Sequence, residues 1–207
     1  HPVLVHMHTI KGKGLHEAEV DKEHYHWIVP GELDKKPVAE NAIRKESYES
    51  ITADYILDRA SKDSSIIAIS PATPGVSGFT PEFRKKLGKN YVDVGIAEET
   101  AVALASGIAA NGGKPVFGVY SSFIQRAYDQ ITQDVCINGN AVTFAVFAGS
   151  VYGLNDVTHL GLQDIPMLNS IPGLIYLAPV TKEDYIAMLD WSLTQNEYPV
   201  AIKVPGG

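Results

Sequence analysis

Cysteine is nearly absent: Cys136 stands alone among 207 residues, so no intramolecular disulfide framework can staple the chain, and the composition fits a reducing compartment. Cys136 falls in a helical pattern, where a lone thiol reads as part of a core. No run of about 18 apolar residues occurs, which leaves no candidate membrane-spanning helix. The N-terminus has neither the basic nor the apolar region of a secretory signal. Together these predict a cytoplasmic protein with no membrane partner. Basic residues are also short, because 17 Lys and Arg against 24 Asp and Glu give a formal charge of -7. Nucleic acid is therefore not expected as a partner, since binding its phosphates needs a basic patch and none is visible. Repeats and low-complexity tracts are missing as well. What is present, 45% hydrophobic and 20% charged residues, is enough for one sizeable core with a small appendage. The sequence opens on His1-Pro-Val-Leu4 without an initiator methionine, as expected of a piece of a longer chain.

The stretch around which the rest is organised is Tyr91-Val-Asp-Val-Gly-Ile-Ala-Glu-Glu-Thr100. Its apolar run breaks at Gly95 and leads into a small-residue helix over 99–110. Glu98 sits at the turn. A carboxylate where a buried strand passes into a helix lies at the carboxyl edge of a sheet, where open α/β folds bind ligands. The alternative is that Glu98 or Glu99 only complements the positive helix end.

Val3 to His8 alternate and run into Lys11-Gly-Lys-Gly14, a pattern that predicts a strand ending in a glycine-rich loop. Lys11 and Lys13 suit a phosphate as point charges, or the loop is a solvated turn, because the full phosphate-loop pattern is lacking. Six of the seven histidines lie within residues 1–26. No cysteine joins them and no His-Glu-x-x-His spacing occurs, so no metal site is assigned. Residues 28–44 carry two prolines, mixed charge and no period, the mark of an interdomain linker. Beyond it, Ser47 is expected to cap a helix to about Lys62, Thr80-Pro81 to open a short helix ending at Gly88, and Thr181 to cap one reaching about Thr194. Ser122 is expected to cap a helix to about Ile137. Strands are expected over 65–70, 91–94, 114–120, 141–147, 174–178 and 199–204. Six short apolar runs alternating with helices imply a doubly wound α/β fold, a mostly parallel six-stranded sheet with helices on both faces. The strand ends near Gly95, Tyr120 and Ala148 would open onto one edge, so Glu98, Phe123 and His159 could converge there. Phe123 and Arg126 are spaced to share one helix face, although Phe123 taken alone also fits a core position. The loop over 148–163 is long for a compact domain, and such loops are usually functional.

Asp93-Val-Gly-Ile-Ala-Glu98, followed by Tyr120-Ser-Ser-Phe-Ile-Gln-Arg-Ala-Tyr-Asp-Gln130, resembles the pyrimidine-binding domain of thiamine-diphosphate enzymes of the transketolase type, most closely the 1-deoxy-D-xylulose-5-phosphate synthase family. The resemblance covers nearly the whole chain. It implies that residues 1–44 are the tail of the diphosphate-binding domain plus a linker, and 45–207 the pyrimidine-binding domain. It implies a transferase, as a homodimer, that decarboxylates pyruvate and passes the two-carbon unit to glyceraldehyde 3-phosphate, giving a precursor for isoprenoid and thiamine biosynthesis. The cofactors implied are thiamine diphosphate and Mg2+, the metal ligands lying upstream of His1. Phe123 would stack on the aminopyrimidine, and Glu98 would hydrogen-bond a ring nitrogen and stabilise the imino tautomer. Ile96 and Arg126 would complete that contact and Lys11 would reach the diphosphate. Tyr25-His26 matches an aromatic-histidine pair of the family, making His26 an active-site histidine, or else an exposed loop residue. Leu154-Asn-Asp-Val-Thr-His159 matches Asp-Gly-Pro-Thr-His imperfectly. His159 would polarise substrate oxygens, or simply meet a backbone carbonyl, while Tyr120, Asn155, Asp156 and Lys203 would face the substrate.

Two departures bear on the acceptor. The family carries arginines in Asp-Arg-Ala-Gly and in Arg-Tyr-Pro-Arg-Gly, both holding the acceptor phosphate. This chain has Phe147-Ala-Gly149 and Lys203-Val-Pro-Gly-Gly207, and one lysine does not replace two planar bidentate forks. Three readings follow: the synthase activity, a transketolase-like enzyme with a different or unphosphorylated acceptor, and a non-catalytic domain that keeps the fold. On its own this stretch is expected to be inactive, because the family's Gly-Asp-Gly and Asn segment for magnesium and diphosphate is not in it.

Overall fold

The computed structural model describes residues 1–28, 30–34, 46–149 and 157–205. The chain divides into a smaller unit, His1–Lys45, and a larger one, Glu46–Gly207. In the smaller unit, the strand expected over Val3–His8 does not form. A strand needs a ladder to pair with, and no strand among the described residues pairs with this segment, whose Val3, Leu4, Val5 and Met7 side chains are exposed. Lys11–Gly14 is a turn as expected, with Gly12 and Gly14 at φ 84° and 101°. A short helix α1 (His16–Val20) and a 3-10 turn (His24–His26) follow. Much of the expected linker over 28–44 lies outside the described residues.

The larger unit begins with α2 (Tyr48–Lys62). Ser47 and Ser50 close a reciprocal cap there, each side chain taking the other's backbone N–H. The remaining elements are β1 (Ile66–Ser70), α3 (Pro81–Leu87), β2 (Tyr91–Asp93), α4 (Glu98–Ala110), β3 (Lys114–Tyr120), α5 (Tyr128–Gln130), β4 (Thr143–Phe147), α6 (Asp164–Asn169), β5 (Ile175–Leu177), α7 (Lys182–Thr194) and β6 (Val200–Lys203). All pairings are parallel, and the sheet order is β2-β1-β3-β4-β6-β5.

Side chains along each strand alternate between two cores, as a period of two requires. Val116, Ala145, Phe147, Val200 and Ile202 face α2, α3 and α7, with Ile56, Phe83 and Leu189 opposite. Phe117, Val119, Phe144, Val146 and Ala201 face the other way, against Ala101, Val102 and Ala105 of α4 and Leu168 of α6. Burial on both faces explains why the strands read as apolar runs. Gly118 is glycine for a packing reason: a Cβ there would run into Ser77 and stand 3.2 Å from the Phe79 ring.

The single helix expected from Ser122 to Ile137 is instead a 3-10 turn (Ile124–Ala127), one turn of α-helix (α5) and a π-helical stretch (Ile131–Cys136). The Asp134 carbonyl accepts side-chain bonds from Ser106 Oγ at 2.6 Å, Asn138 Nδ2 at 2.9 Å and Asn140 Nδ2 at 3.4 Å. Those competing donors draw that carbonyl away from a regular ladder, which accounts for the widened turn. Ser122 caps nothing, since its Oγ is buried without a hydrogen-bond partner.

Candidate active site

Strand order reverses beside β1, the kind of place where crossovers diverge and leave a crevice at the carboxyl edge. The β2–α4 turn there is tied down by Asp93. Its Oδ1 accepts from Gly95 N at 2.9 Å and from Ala72 N at 3.0 Å, and Tyr91 Oη donates to its Oδ2 at 3.2 Å. Gly95 has φ 75°, which explains the glycine that ends the apolar run. Glu98 is the first residue of α4 and is 2% exposed. Arg126 Nη1 lies 3.2 Å from its Oε2, yet off the hydrogen-bond direction, so that oxygen is buried without a hydrogen-bond partner. Arg126 Nε also lies 3.9 Å from Glu99 Oε1. A carboxylate that merely complements a helix end keeps its water. Glu98 is buried instead and keeps an acceptor without a hydrogen bond, which costs free energy unless something else meets it.

Around the end of β3 three rings meet. Tyr120 and Phe123 have centroids 4.9 Å apart, Tyr120 and His159 5.3 Å, and Phe123 and His159 5.0 Å. Thr158 Oγ1 is 2.9 Å from His159 Nδ1. Burial, and then the Glu49 carboxylate, push the Tyr120 hydroxyl above its usual range, so it stays protonated as a donor. Phe123 precedes the 3-10 turn instead of sharing a long helix with Arg126. In a 3-10 turn positions three apart eclipse, so the shared side survives. Phe123 also touches the second core, so its ring joins that core to the Tyr120–His159 cluster.

Lys203 Nζ is 2.5 Å from Asp164 Oδ2, and Asp164, the first residue of α6, is 1% exposed. Tyr176 Oη donates to the same oxygen at 3.1 Å. Sequence reasoning did not single out Asp164. The available signal was an acid opening a helix directly after a histidine-bearing loop. Asp93 stands out in the sequence only as part of a motif, and no local pattern signals its work on the turn. Ile96 is 76% exposed at the turn before Glu98. Lys11 and His26 are exposed residues of the smaller unit. Asn155 and Asp156 fall outside the described residues. Among those described, no group of three or more His, Cys, Asp or Glu could hold a metal ion, and no helix is long and apolar enough to cross a membrane.

A family model described as "Transketolase, pyrimidine binding domain" matches residues 45–206. The chain is 40% identical over 206 residues to 1-deoxy-D-xylulose-5-phosphate synthase of Clostridium botulinum (strain Alaska E43 / Type E3), covering 100% of this chain and 33% of that protein. It is 39% identical to the protein of the same name from Stenotrophomonas maltophilia (strain K279a), with 100% and 32% covered. The chain thus spans about a third of the length of the curated relatives it matches. Transketolase from Leishmania mexicana superposes with a TM-score of 0.67 at 18% identity, over 82% of this chain and 26% of that one. A "Split gene transketolase, inactive beta4 tetramer" gives 0.64 at 19% identity, over 76% and 50%. At such identities these two structures speak for the fold.

Proposed function

Because the chain belongs to the transketolase pyrimidine-binding domain family over residues 45–206, we propose that the full-length protein is a thiamine-diphosphate-dependent transferase. It decarboxylates pyruvate and transfers the two-carbon unit to an aldehyde, glyceraldehyde 3-phosphate in the first instance. The observation that carries this is the buried Glu98 Oε2 without a hydrogen-bond partner at the carboxyl edge, with Arg126 beside it and Phe123 three residues before Arg126. That set fits an aminopyrimidine, a flat ring needing a stacking face and a carboxyl partner for a ring nitrogen. When bound, the cofactor supplies the carbon nucleophile and electron sink that decarboxylation requires.

The chain's own residues bind and move protons. Glu98 would hold the ring nitrogen of the bound cofactor from a buried site, where hydrogen bonding is stronger than in solution and a carboxyl can give or take a proton. Phe123 would stack on the ring, Arg126 would hold the Glu98 carboxylate in place, and Ile96 would border the ring. His159 and Tyr120 present donors to substrate oxygens, and Asn155 and Asp156 are assigned to the same substrate from their place in the motif. Residues 1–44 then belong to the preceding diphosphate-binding domain, with Lys11 as a point charge for the diphosphate and His26 as an active-site histidine. Mg2+ is held by ligands outside this chain, and the protein works as a cytoplasmic homodimer. The test is to incubate full-length protein with pyruvate and glyceraldehyde 3-phosphate, with and without added thiamine diphosphate and Mg2+. Cofactor-dependent 1-deoxyxylulose 5-phosphate and carbon dioxide are expected. No carbon dioxide under any condition would instead favour a non-catalytic domain.

One observation favours a second reading in which the acceptor lacks a phosphate. Lys203, the cation remaining at the end of β6, is 2.5 Å from a buried carboxylate. Its charge is already matched, which leaves it poorly placed to grip a phosphate.

A further inference from the structure

The mechanism above makes no use of Asp164, yet its carboxylate is 1% exposed, its Oδ1 has no hydrogen-bond partner, and its Oδ2 takes both Lys203 Nζ at 2.5 Å and Tyr176 Oη at 3.1 Å. The pair also sits against the loop that carries His159. Gly149, at the start of that loop, packs directly under it: a Cβ there would collide with Lys203 Nζ and stand 2.8 Å from Asp164 Oδ2. Gly161, on the returning limb, packs just as closely on the outgoing one. A Cβ on it would lie 2.5 Å from the Ala148 carbonyl oxygen, 2.6 Å from Gly149 Cα and 2.6 Å from Ser121 Oγ. Ala148 holds φ 54°, a left-handed conformation that an alanine keeps only when its surroundings impose it. Ser121, which anchors the other side, follows Tyr120 and donates its backbone N–H to the Phe147 carbonyl at 2.7 Å.

We infer that the Asp164–Lys203 pair is a latch that clamps the two limbs of this loop together and so holds the His159 ring against Tyr120 and Phe123. Lys203 is fixed by β6, in register with Val146 of β4, so it is a rigid post. Asp164 starts α6 and is the loop's own end. Joining the two packs the pair directly over Gly149, where any side chain would push it apart. Asp164 and Lys203 are positioning residues, acting through His159. This also accounts for a lysine without a partner phosphate, because the cation serves the loop.

The inference rests on the proposed function only for its effect on turnover, since the position of the ring can be measured without substrate or cofactor. Full-length protein labelled with [13C]histidine, its His159 line assigned with His159→Gln, is expected to show a ring-current-displaced resonance from the two neighbouring rings. In Asp164→Leu/Lys203→Met, which removes both charges together and so leaves none unpaired, that displacement should vanish while far-UV circular dichroism is kept. Lys203→Arg should retain it. Two-carbon transfer should fall by about a hundredfold in the double variant, the scale of a 1 Å misplacement, and recover in Lys203→Arg. An unmoved His159 line in the folded double variant overturns the latch. If that variant does not fold, Gly149→Ala, which leaves both charges in place, decides: a displaced line lost supports the latch, and a line unchanged overturns it. Loss of turnover with the line unmoved would contradict the latch and leave the functional reading intact.

Discussion

Arg126 Nη1 stands 3.2 Å from Glu98 Oε2, a half-exposed guanidinium against a carboxylate with 2% of its side chain exposed. The two come from neighbouring connections, one opening α4 after β2 and the other in the turn after β3. The cation compensates part of the burial, while the geometry leaves the oxygen itself open to a better donor.

Glu98→Gln keeps the shape and loses the ionisable group. In the full-length protein, pyruvate decarboxylation is expected to drop by about a hundredfold or more, the scale of general acid-base catalysis, with the melting temperature close to wild type. Near-normal carbon dioxide release would take Glu98 out of the proton transfer.

Phe123→Ala removes the ring that touches both Tyr120 and His159. Stacking contributes about 0.5 to 1.5 kcal/mol beyond area burial, so thiamine diphosphate should bind about two- to twelvefold more weakly. Calorimetric titration checks this, and an unchanged affinity would make Phe123 a core residue.

The acceptor is where this chain departs from the synthase pattern. With Phe147 where one arginine is expected and Lys203 held by Asp164, full-length protein should prefer glyceraldehyde 3-phosphate over glyceraldehyde only weakly. Each charge-assisted hydrogen bond contributes roughly 1.5 to 3 kcal/mol. A kcat/KM ratio of about a thousandfold or more, about 4 kcal/mol, would mean that other residues grip the phosphate.

Away from the site, Asp63 ties β3 to the end of α2 through Lys114 at 2.8 Å. The Lys114 bond, followed by bonds from Ser65, holds the Asp63 carboxyl well below its usual range. A depressed native pKa contributes stability above the unfolded value of about 3.9, and that contribution is lost as pH falls through the native one. The urea midpoint of Asp63→Asn should therefore trail wild type at pH 7, and the gap should close in strong acid. Exposure of both side chains keeps the gap near 1 kcal/mol, on the order of a surface pair. A gap that does not change with pH would mean that the charge has no part in it.

Local signals made much of the fold legible. Ser47, Thr80 and Thr181 cap the helices they were expected to cap, because a cap is a bond between residues three apart. The inner strands β1, β3, β4 and β6 appeared as apolar runs because both faces are buried. Val3–His8 alternates as a half-buried strand would and forms none, since alternation describes two faces and supplies no neighbour. The helix after Ser122 failed for a related reason. The donors that compete for the Asp134 carbonyl include Ser106 of α4, 28 positions away.

The sequence by itself determined the α/β class, the place of Glu98 at a strand-to-helix turn and the motif that relates the chain to transketolase-type domains, because each depends on spacing within a few residues. Tertiary structure alone decided that Glu98 is buried with an unmatched oxygen, that Tyr120, Phe123 and His159 form one group, and that Lys203 is bound to Asp164 across 39 positions. Burial and charge pairing are properties of a parallel sheet whose edge gathers distant loops, and no local spacing encodes which of those loops will touch.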